Sequence, residues 1–204
     1  MAGGTGRGTK ENGKMTADLN GQKSALRKQI REVLQNISPA VRMAESIELC
    51  DRLEPQLQSA RTILFFAPLP DEPDVWPLLE KLLPTKKICA LPAFDPAARA
   101  YLARRVQKLP GDISAGEFGI REPSASCGEI PLDRFDLVLV PAVGFDGHGR
   151  RLGRGRGFFD RLLAEVRGIK CGVAFDWQMV KEIPAEAHDV RMNFIVTPTH
   201  CLRT

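Results

Sequence analysis

Between Gly147 and Arg161 the chain sets five glycines among five arginines, with Asp160 as the single acid. The segment Gly153-Arg-Gly-Arg-Gly157 alternates strictly. Glycine permits backbone dihedrals that bring N–H groups close to a ligand, and arginine offers planar, bidentate contacts to phosphate oxygens. The chemistry open to such a stretch is anion binding, above all of phosphate. It is not a Walker loop, because no Gly-Lys-Ser/Thr follows, and it does not carry the acidic partner of a dinucleotide fingerprint. A flexible, solvated loop is the other reading that composition allows. Charge favours the first. The stretch alone holds the chain's whole formal excess of +4. Positive charge confined to one loop points to a compact anionic ligand, whereas a nucleic-acid binder spreads it over a face.

Other residues could join such a site. Asp160, at the start of the helix expected after the loop, could ligate Mg²⁺ bridging phosphates, cap the helix, or pair with Arg161. Glu72 follows an apolar strand, and ligands of open α/β sheets gather at the carboxyl ends of strands. Its carboxylate could accept two hydrogen bonds from an aminopyrimidine edge, or simply be solvated. Lys23 and Arg27 are four apart and share a helix face from which they could reach phosphates. Phe65, Phe66 and Trp76 read as core first and ligand walls second. Asp189 says nothing by itself. No Ser/His/Asp or Cys/His pattern stands out. The five cysteines (Cys50, Cys89, Cys127, Cys171, Cys201) form no C-x-x-C, and His148, His188 and His200 are scattered. Reduced thiols in a cytoplasmic protein follow, not a zinc site or a disulfide framework.

The elements that would position these residues are legible. Residues 1–20 are polar and glycine-rich without apolar periodicity, and are expected to be a disordered tail. A single domain is expected over 21–204. Gln22 to Leu34 reads as a helix with Leu26, Ile30, Val33 and Leu34 as its stripe. Ser38-Pro39 starts a second, with Val41, Ala44, Ile47, Leu49 and Leu53 as its stripe. Strands are expected at 62–67, 87–92, 101–106 (an edge), 135–141 and 169–175, with Asn193–Thr197 as the last. Helices are expected at 75–83 and 158–166. Strand–helix–strand alternation implies parallel pairing by right-handed crossovers. No apolar run is long enough to span a membrane.

Taken together in order, these motifs resemble the 5-formyltetrahydrofolate cyclo-ligase family, also called methenyltetrahydrofolate synthetase. The resemblance covers roughly Gln22 to Thr197. It rests on Lys23-x-x-Leu-Arg27; Phe65-Phe-x-Pro-x-x-x-Glu72; Leu91-Pro92; Phe118-Gly-Ile-x-Glu-Pro123; and Asp136-Leu-Val-Leu-Val-Pro141. It continues with Gly144-Phe-Asp-x-x-Gly-x-Arg-Leu-Gly-Arg-Gly-x-Gly-Phe-x-Asp160, Phe175-x-x-Gln178 and Asp189.

The resemblance implies a three-layer α/β/α fold with a mainly parallel, Rossmann-like sheet. It also implies a monomeric cytoplasmic enzyme that uses ATP as co-substrate with Mg²⁺. The reaction would close 5-formyltetrahydrofolate to 5,10-methenyltetrahydrofolate through a phosphorylated imidate, releasing ADP and phosphate. ATP would contact Lys23, Ser24, Ala25, Leu26 and Arg27, then Arg151, Leu152, Gly153, Arg154, Gly155, Arg156, Gly157, Phe158 and Phe159. The folate would meet Arg27, Ala67 and Glu72, and the segment Arg154, Gly155, Arg156, Gly157 and Phe158. Asp160 and Asp189 would hold Mg²⁺, and Arg154 would stabilise the charge of phosphoryl transfer. One departure stands out: the family usually reads Tyr-Tyr-Asp or Phe-Tyr-Asp before the helix, and this chain reads Phe158-Phe159-Asp160. Activity falls if the missing tyrosine hydroxyl holds a phosphate or a water, and is unchanged if only the ring packs. Two other functions stay open at this point: a nucleotide- or RNA-binding module without the reaction, and the same fold acting on another formyl or amide substrate.

Overall fold

The computed structural model describes residues 8–116, 119–186 and 189–204, with side chains from residue 18 onward except that of Phe158. Phe118 and His188, named above, lie outside the described residues, as do residues 1–7. The chain opens with two helices, α1 (Gly8–Gln35) and α2 (Pro39–Leu53). Next come β1 (Thr62–Leu64), α3 (Trp76–Leu82), β2 (Ile88–Asp95) and β3 (Ala100–Val106). A short hairpin follows, β4 (Ile113–Ala115) with β5 (Arg121–Pro123). Then come β6 (Leu137–Pro141), β7 (Gly144–Asp146), β8 (Arg151–Leu152) and α4 (Phe158–Glu165). The last elements are β9 (Ile169–Val173), β10 (Met179–Val180), β11 (Phe194–Val196) and β12 (Cys201–Arg203).

Seven strands form the central sheet in the order β12-β11-β9-β6-β1-β2-β3. The inner five run parallel, and β3 and β12 pair antiparallel at the two edges. Alternation along each strand divides the core into two layers. Ile63, Phe65, Leu137 and Leu139 face Leu49 and Leu53 of α2 and Leu78, Leu79 and Leu82 of α3. Leu64, Val138 and Val140 face Leu162 and Leu163 of α4 on the other side. Helices therefore cover both faces, as a continuous apolar strand such as Leu137–Val140 requires. The β1-to-β2 crossover lies on one face and α4, which follows β6, on the other. The strand order thus reverses between β1 and β6, where an open α/β sheet leaves a crevice at its carboxyl ends.

Several expectations change. Of the segment 1–20, residues 1–7 lie outside the described residues, and the backbone from Gly8 onward is continuous with α1. Extending a formed helix fixes one residue per new hydrogen bond, so a polar segment can propagate from the nucleus at 22–34. The stripe of α2 is rotated from the expected one. Ser46, Leu49, Cys50 and Leu53 are buried, while Val41, Ala44 and Ile47 are exposed. Three polar positions in four, Glu45, Ser46 and Glu48, blur the period there, and Ser46 is admitted to the core because its hydroxyl bonds the Arg42 carbonyl and the Asp74 N–H. In α1 only Ile30 of the expected stripe is fully buried, and Val33 is 44% exposed. Finally, Asn193–Thr197 is not the last strand, since β12 pairs with β11 beyond it.

A second, three-stranded sheet, β10-β7-β8, was not expected. It carries the first half of the glycine stretch. Ile30 and Leu26 of α1 pack on it against Val143, Leu152 and Ile183. Gly144 leaves room for this contact: a Cβ there would stand 2.7 Å from Ile30 Cδ1 and 3.0 Å from the Gln178 carbonyl oxygen. This packing brings the basic side of α1 to the glycine loop.

Candidate active site

Buried polar side chains fix the loop before any ligand arrives. Asp146, fully buried, accepts hydrogen bonds from the N–H groups of His148 at 2.9 Å, Arg150 at 3.0 Å and Ile183 at 2.9 Å. A carboxylate holding three backbone N–H groups sets the turn rigidly. Gln178 works alike: it accepts from Phe175 N–H at 2.8 Å and donates to the Ala142 carbonyl at 2.9 Å. Asp136 ties β6 to β1 by accepting from the N–H groups of Arg61 and Thr62, both at 2.8 Å. These motif residues hold the scaffold of the site. The cue for that role is a lone polar residue inside an apolar run.

Past β8 the chain turns through Gly155 and Gly157, at φ +96° and +67°, values that a Cβ disfavours. Gly157 directly precedes α4, so backbone amides and the electropositive helix end lie together. Asp160 stands in the first turn of α4.

A cavity of about 530 Å³ opens at the carboxyl ends of β1, β2 and β6. Phe66, Ala67 and Glu72 line it from the loop after β1, and Pro92 and Tyr101 from β2 and β3. Arg151, Arg154, Arg156, Gly157, Phe159 and Asp160 line it from the glycine loop, and Arg31 from α1. A broader groove of about 810 Å³ beyond Leu69 and Ile120 shares Glu72 with it. The glycine loop, Ala67, Glu72 and Asp160, named from sequence, thus share one cavity.

Ion pairs tie its walls together. Glu72 is buried, with its side chain 5% exposed. Its Oε1 accepts from Arg154 Nε at 3.1 Å and Nη2 at 2.9 Å, and its Oε2 accepts from Leu69 N–H at 3.0 Å. Arg154 Nη2 also donates to Asp71 Oδ1 at 2.5 Å. Burial raises the Glu72 pKa; the Arg154 charge and the Leu69 N–H pull it down without cancelling the rise. Burial works to lower the Arg154 pKa, but the hydrogen bonds and charges of Asp71 and Glu72 outweigh it and raise it. Glu72 is therefore not the solvated loop acid that composition allowed.

On the opposite wall, Arg151 pairs with Asp160, donates to the Pro141 carbonyl at 3.3 Å, and lies over the Phe159 ring at 5.6 Å. The partner of Asp160 is Arg151, not Arg161, in this pairing. Arg27 Nε donates to the Gly153 carbonyl at 2.7 Å. Burial lowers the Arg27 pKa, Arg31 adds to the fall, and Asp160 opposes it. Lys23 Nζ reaches Asp189 Oδ2 at 3.0 Å and Glu186 at 3.7 Å. Lys23 and Arg27 thus lie against the Asp189 loop and the glycine loop.

Sequence reasoning did not assign Arg31, Asp71, Tyr101 or Glu122 to the site. Glu122 is 6% exposed, lines the cavity and accepts from Phe94 N–H at 3.0 Å. Its motif carried the signal, and Arg31 continues the four-residue spacing of Lys23 and Arg27. Tyr101 is the only tyrosine in the chain, with no pattern around it to mark it.

Asp160 and Asp189 offer a donor set of carboxylate oxygen alone, which suits a hard cation. Among the described residues no three His, Cys, Asp or Glu side chains converge. Asp160 lines the cavity, whereas Asp189 is not among its lining residues and pairs with Lys23.

Residues 20–198 match the profile of the 5-formyltetrahydrofolate cyclo-ligase family. The 5-formyltetrahydrofolate cyclo-ligase of Mycolicibacterium smegmatis is 37% identical over 186 residues, covering 86% of this chain and 93% of the relative. The Escherichia coli protein of the same name is 32% identical over 149 residues, covering 71% of this chain and 82% of its own. The solution structure of Aquifex aeolicus 5,10-methenyltetrahydrofolate synthetase superposes with a TM-score of 0.80 at 32% identity, over 89% of this chain and 92% of that one.

Proposed function

The chain belongs to the 5-formyltetrahydrofolate cyclo-ligase family, and from that premise we propose that it closes 5-formyltetrahydrofolate to 5,10-methenyltetrahydrofolate with cleavage of ATP to ADP and phosphate. One observation supports this reading above the rest. The phosphate-type loop and the buried carboxylate Glu72 line the same cavity, and Arg154 spans from one to the other. A reaction that moves a phosphoryl group onto a folate oxygen needs its two substrates side by side in that manner.

The proposal assigns the following roles. The amides around Gly155 and Gly157, with Arg151, Lys23 and Arg27, receive the phosphates. Glu72 accepts the amine edge of the pterin beside Ala67. Arg154, between the two, balances the charge that grows as the formyl oxygen takes the γ-phosphoryl group. N10 then closes the ring and phosphate leaves. Such chemistry depends on positioning and charge neutralisation more than on a protein base, which accounts for a site without a catalytic triad. Asp160 and Asp189 would hold Mg²⁺, which supplies further neutralisation of the phosphates when bound.

The same proposal takes the catalytic unit as one domain over 21–204, active as a monomer in the cytoplasm. All five cysteines are free. No helix among the described residues is long and apolar enough to cross a membrane. An RNA-binding module without the reaction gains no support from the arginines, since Arg151 and Arg154 turn inward to Asp160 and Glu72. The test is direct: purified protein with ATP, Mg²⁺ and 5-formyltetrahydrofolate should generate the absorbance of methenyltetrahydrofolate. No product at high enzyme concentration overturns the proposal. Product from a different formyl or amide compound alone would move the substrate, not the fold of the site.

A further inference from the structure

The cations around the cavity differ in how far they are already committed. Lys23 is held by Asp189 and Glu186, and Arg27 by the Gly153 carbonyl. Arg151 is held by Asp160 and the Pro141 carbonyl, and Arg154 by Glu72 and Asp71. Arg156 is also engaged. A polyanion entering this cavity must therefore displace existing pairs or find a cation that is not yet taken. Arg31 is that cation. It lines the cavity with Arg151, Arg156 and Asp160, and among the described residues it makes no hydrogen bond or ion pair. Its charge is felt by Arg27, one turn earlier on α1, whose pKa it pushes down.

Helical geometry explains the placement. Lys23, Arg27 and Arg31 stand at i, i+4 and i+8, so they form one row along α1. The row is pinned from below by Ile30, buried against Val143 and Leu152 under the glycine loop. Three cations in a row repel one another. A solvated helix would gain nothing by aiming such a row at a loop that already carries arginines. The arrangement becomes favourable only when an anion lies between the row and the loop.

We infer that Arg31 is a further phosphate-binding residue, the third member of a Lys23–Arg27–Arg31 row that clamps the nucleotide's phosphates against the glycine loop. The inference rests on the ATP reading of the site given above. Because Arg31 has no hydrogen-bond or ion-pair partner among the described residues to release, its charge is available to the incoming phosphate. It acts on nucleotide affinity and leaves the pterin side of the cavity, at Glu72, untouched.

Calorimetric titration with AMPPNP (a non-hydrolysable ATP analogue) and, separately, with 5-formyltetrahydrofolate tests this on wild type, Arg31→Ala, Arg31→Lys and Lys23→Ala. The expected result is about tenfold weaker AMPPNP binding by Arg31→Ala, as for loss of one charge-assisted contact. Arg31→Lys should recover most of it, the folate affinity should hold within about twofold, and the melting temperature should not move. Arg31 is exposed at the helix surface, so the variant should fold normally. Unchanged AMPPNP affinity in Arg31→Ala, with Lys23→Ala weakened, overturns the inference alone. Weakened folate binding with AMPPNP binding kept also overturns it, and would assign Arg31 to a substrate carboxylate. No AMPPNP uptake by wild type overturns the ATP reading, and the inference with it.

Discussion

Arg154 grips Glu72 across the cavity through two nitrogens, Nε at 3.1 Å and Nη2 at 2.9 Å, joining the phosphate-type loop to the loop after β1. The two residues are 82 positions apart in sequence. As long as the pair is closed, Glu72 has one oxygen on Arg154 and the other on Leu69 N–H. A ligand that needs this carboxylate must share it with Arg154 or replace it. Phosphate on the loop would draw Arg154 away and leave Glu72 in want of donors, which an aminopyrimidine edge can supply. Nucleotide should therefore tighten folate binding, and folate should tighten nucleotide binding by the same factor. Titrating 5-formyltetrahydrofolate with and without AMPPNP measures this factor. In Arg154→Gln it should collapse towards one.

Removing Arg154 should also change stability with pH. Burial holds the Glu72 pKa above its ordinary value of 4.5 even with Arg154 present. A raised carboxyl pKa means that the folded state holds the proton more tightly, so stability falls as pH rises from 4.5 through the folded-state value. Arg154→Ala removes an opposing charge and widens that window upward. Loss of one partner of a buried pair costs about 3–5 kcal/mol, and about 2–3 kcal/mol is expected here because Arg154 is a third exposed. The cost should be largest at neutral pH and shrink towards pH 4.5. Thermal melts of both proteins across that range check it; a pH-independent difference would show that Arg154 is not coupled to the Glu72 proton.

Asp146→Ala should cost about 2–4 kcal/mol, since it leaves one buried N–H group (Ile183) and two part-buried ones (His148, Arg150) without their acceptor. Asp146→Asn keeps an acceptor oxygen and should lose about half as much. Denaturant unfolding gives both values. Because His148 and Arg150 belong to the loop, AMPPNP affinity should fall in parallel with stability across the two variants.

The sheet and its layers were largely legible in the sequence, because Leu137–Val140 and Thr62–Leu64 are apolar runs that only a doubly covered strand explains. The α2 face was not. There the buried position is Ser46, whose admission depends on a backbone partner, Asp74, 28 residues away. The three-stranded sheet was hidden for a similar reason: β8 and β10 have two residues each, too few to show a period. At the site, residue types announced the glycine loop and its charge. Pairing could not be read, because Arg154 with Glu72 and Lys23 with Asp189 are contacts between distant segments. Glu72 looked like any loop acid until its burial was visible.

If Asp160 holds Mg²⁺ as proposed, Asp160→Asn should raise the Mg²⁺ concentration for half-maximal turnover by about tenfold or more, through loss of a charged oxygen ligand. Arg151, which pairs with Asp160 in the absence of ligand, loses that partner as well. Arg151 is then less well placed, so kcat should fall even at saturating Mg²⁺. Initial rates over a Mg²⁺ series separate the two effects. An unchanged Mg²⁺ dependence would remove Asp160 from the metal site.

Phe159 stands where the resemblance read from the sequence leads one to expect a tyrosine, and its surroundings decide what the missing hydroxyl means. The ring packs against the layer of Leu162 and Val140, lines the cavity, and lies beneath the Arg151 guanidinium at 5.6 Å. These are contacts of the ring face and edge, which phenylalanine and tyrosine share. A cation over an aromatic face is worth about 0.5–1 kcal/mol at a partly exposed site, and packing adds to it. Phe159→Tyr should therefore change kcat/KM by no more than about threefold, under about 0.7 kcal/mol. Phe159→Ala should lower it by about tenfold or more, with most of the loss in kcat, because Arg151 loses the surface that orients it towards Asp160. Steady-state kinetics of the two variants distinguishes the alternatives. A large gain in Phe159→Tyr would show that this chain works without a hydroxyl its reaction can use.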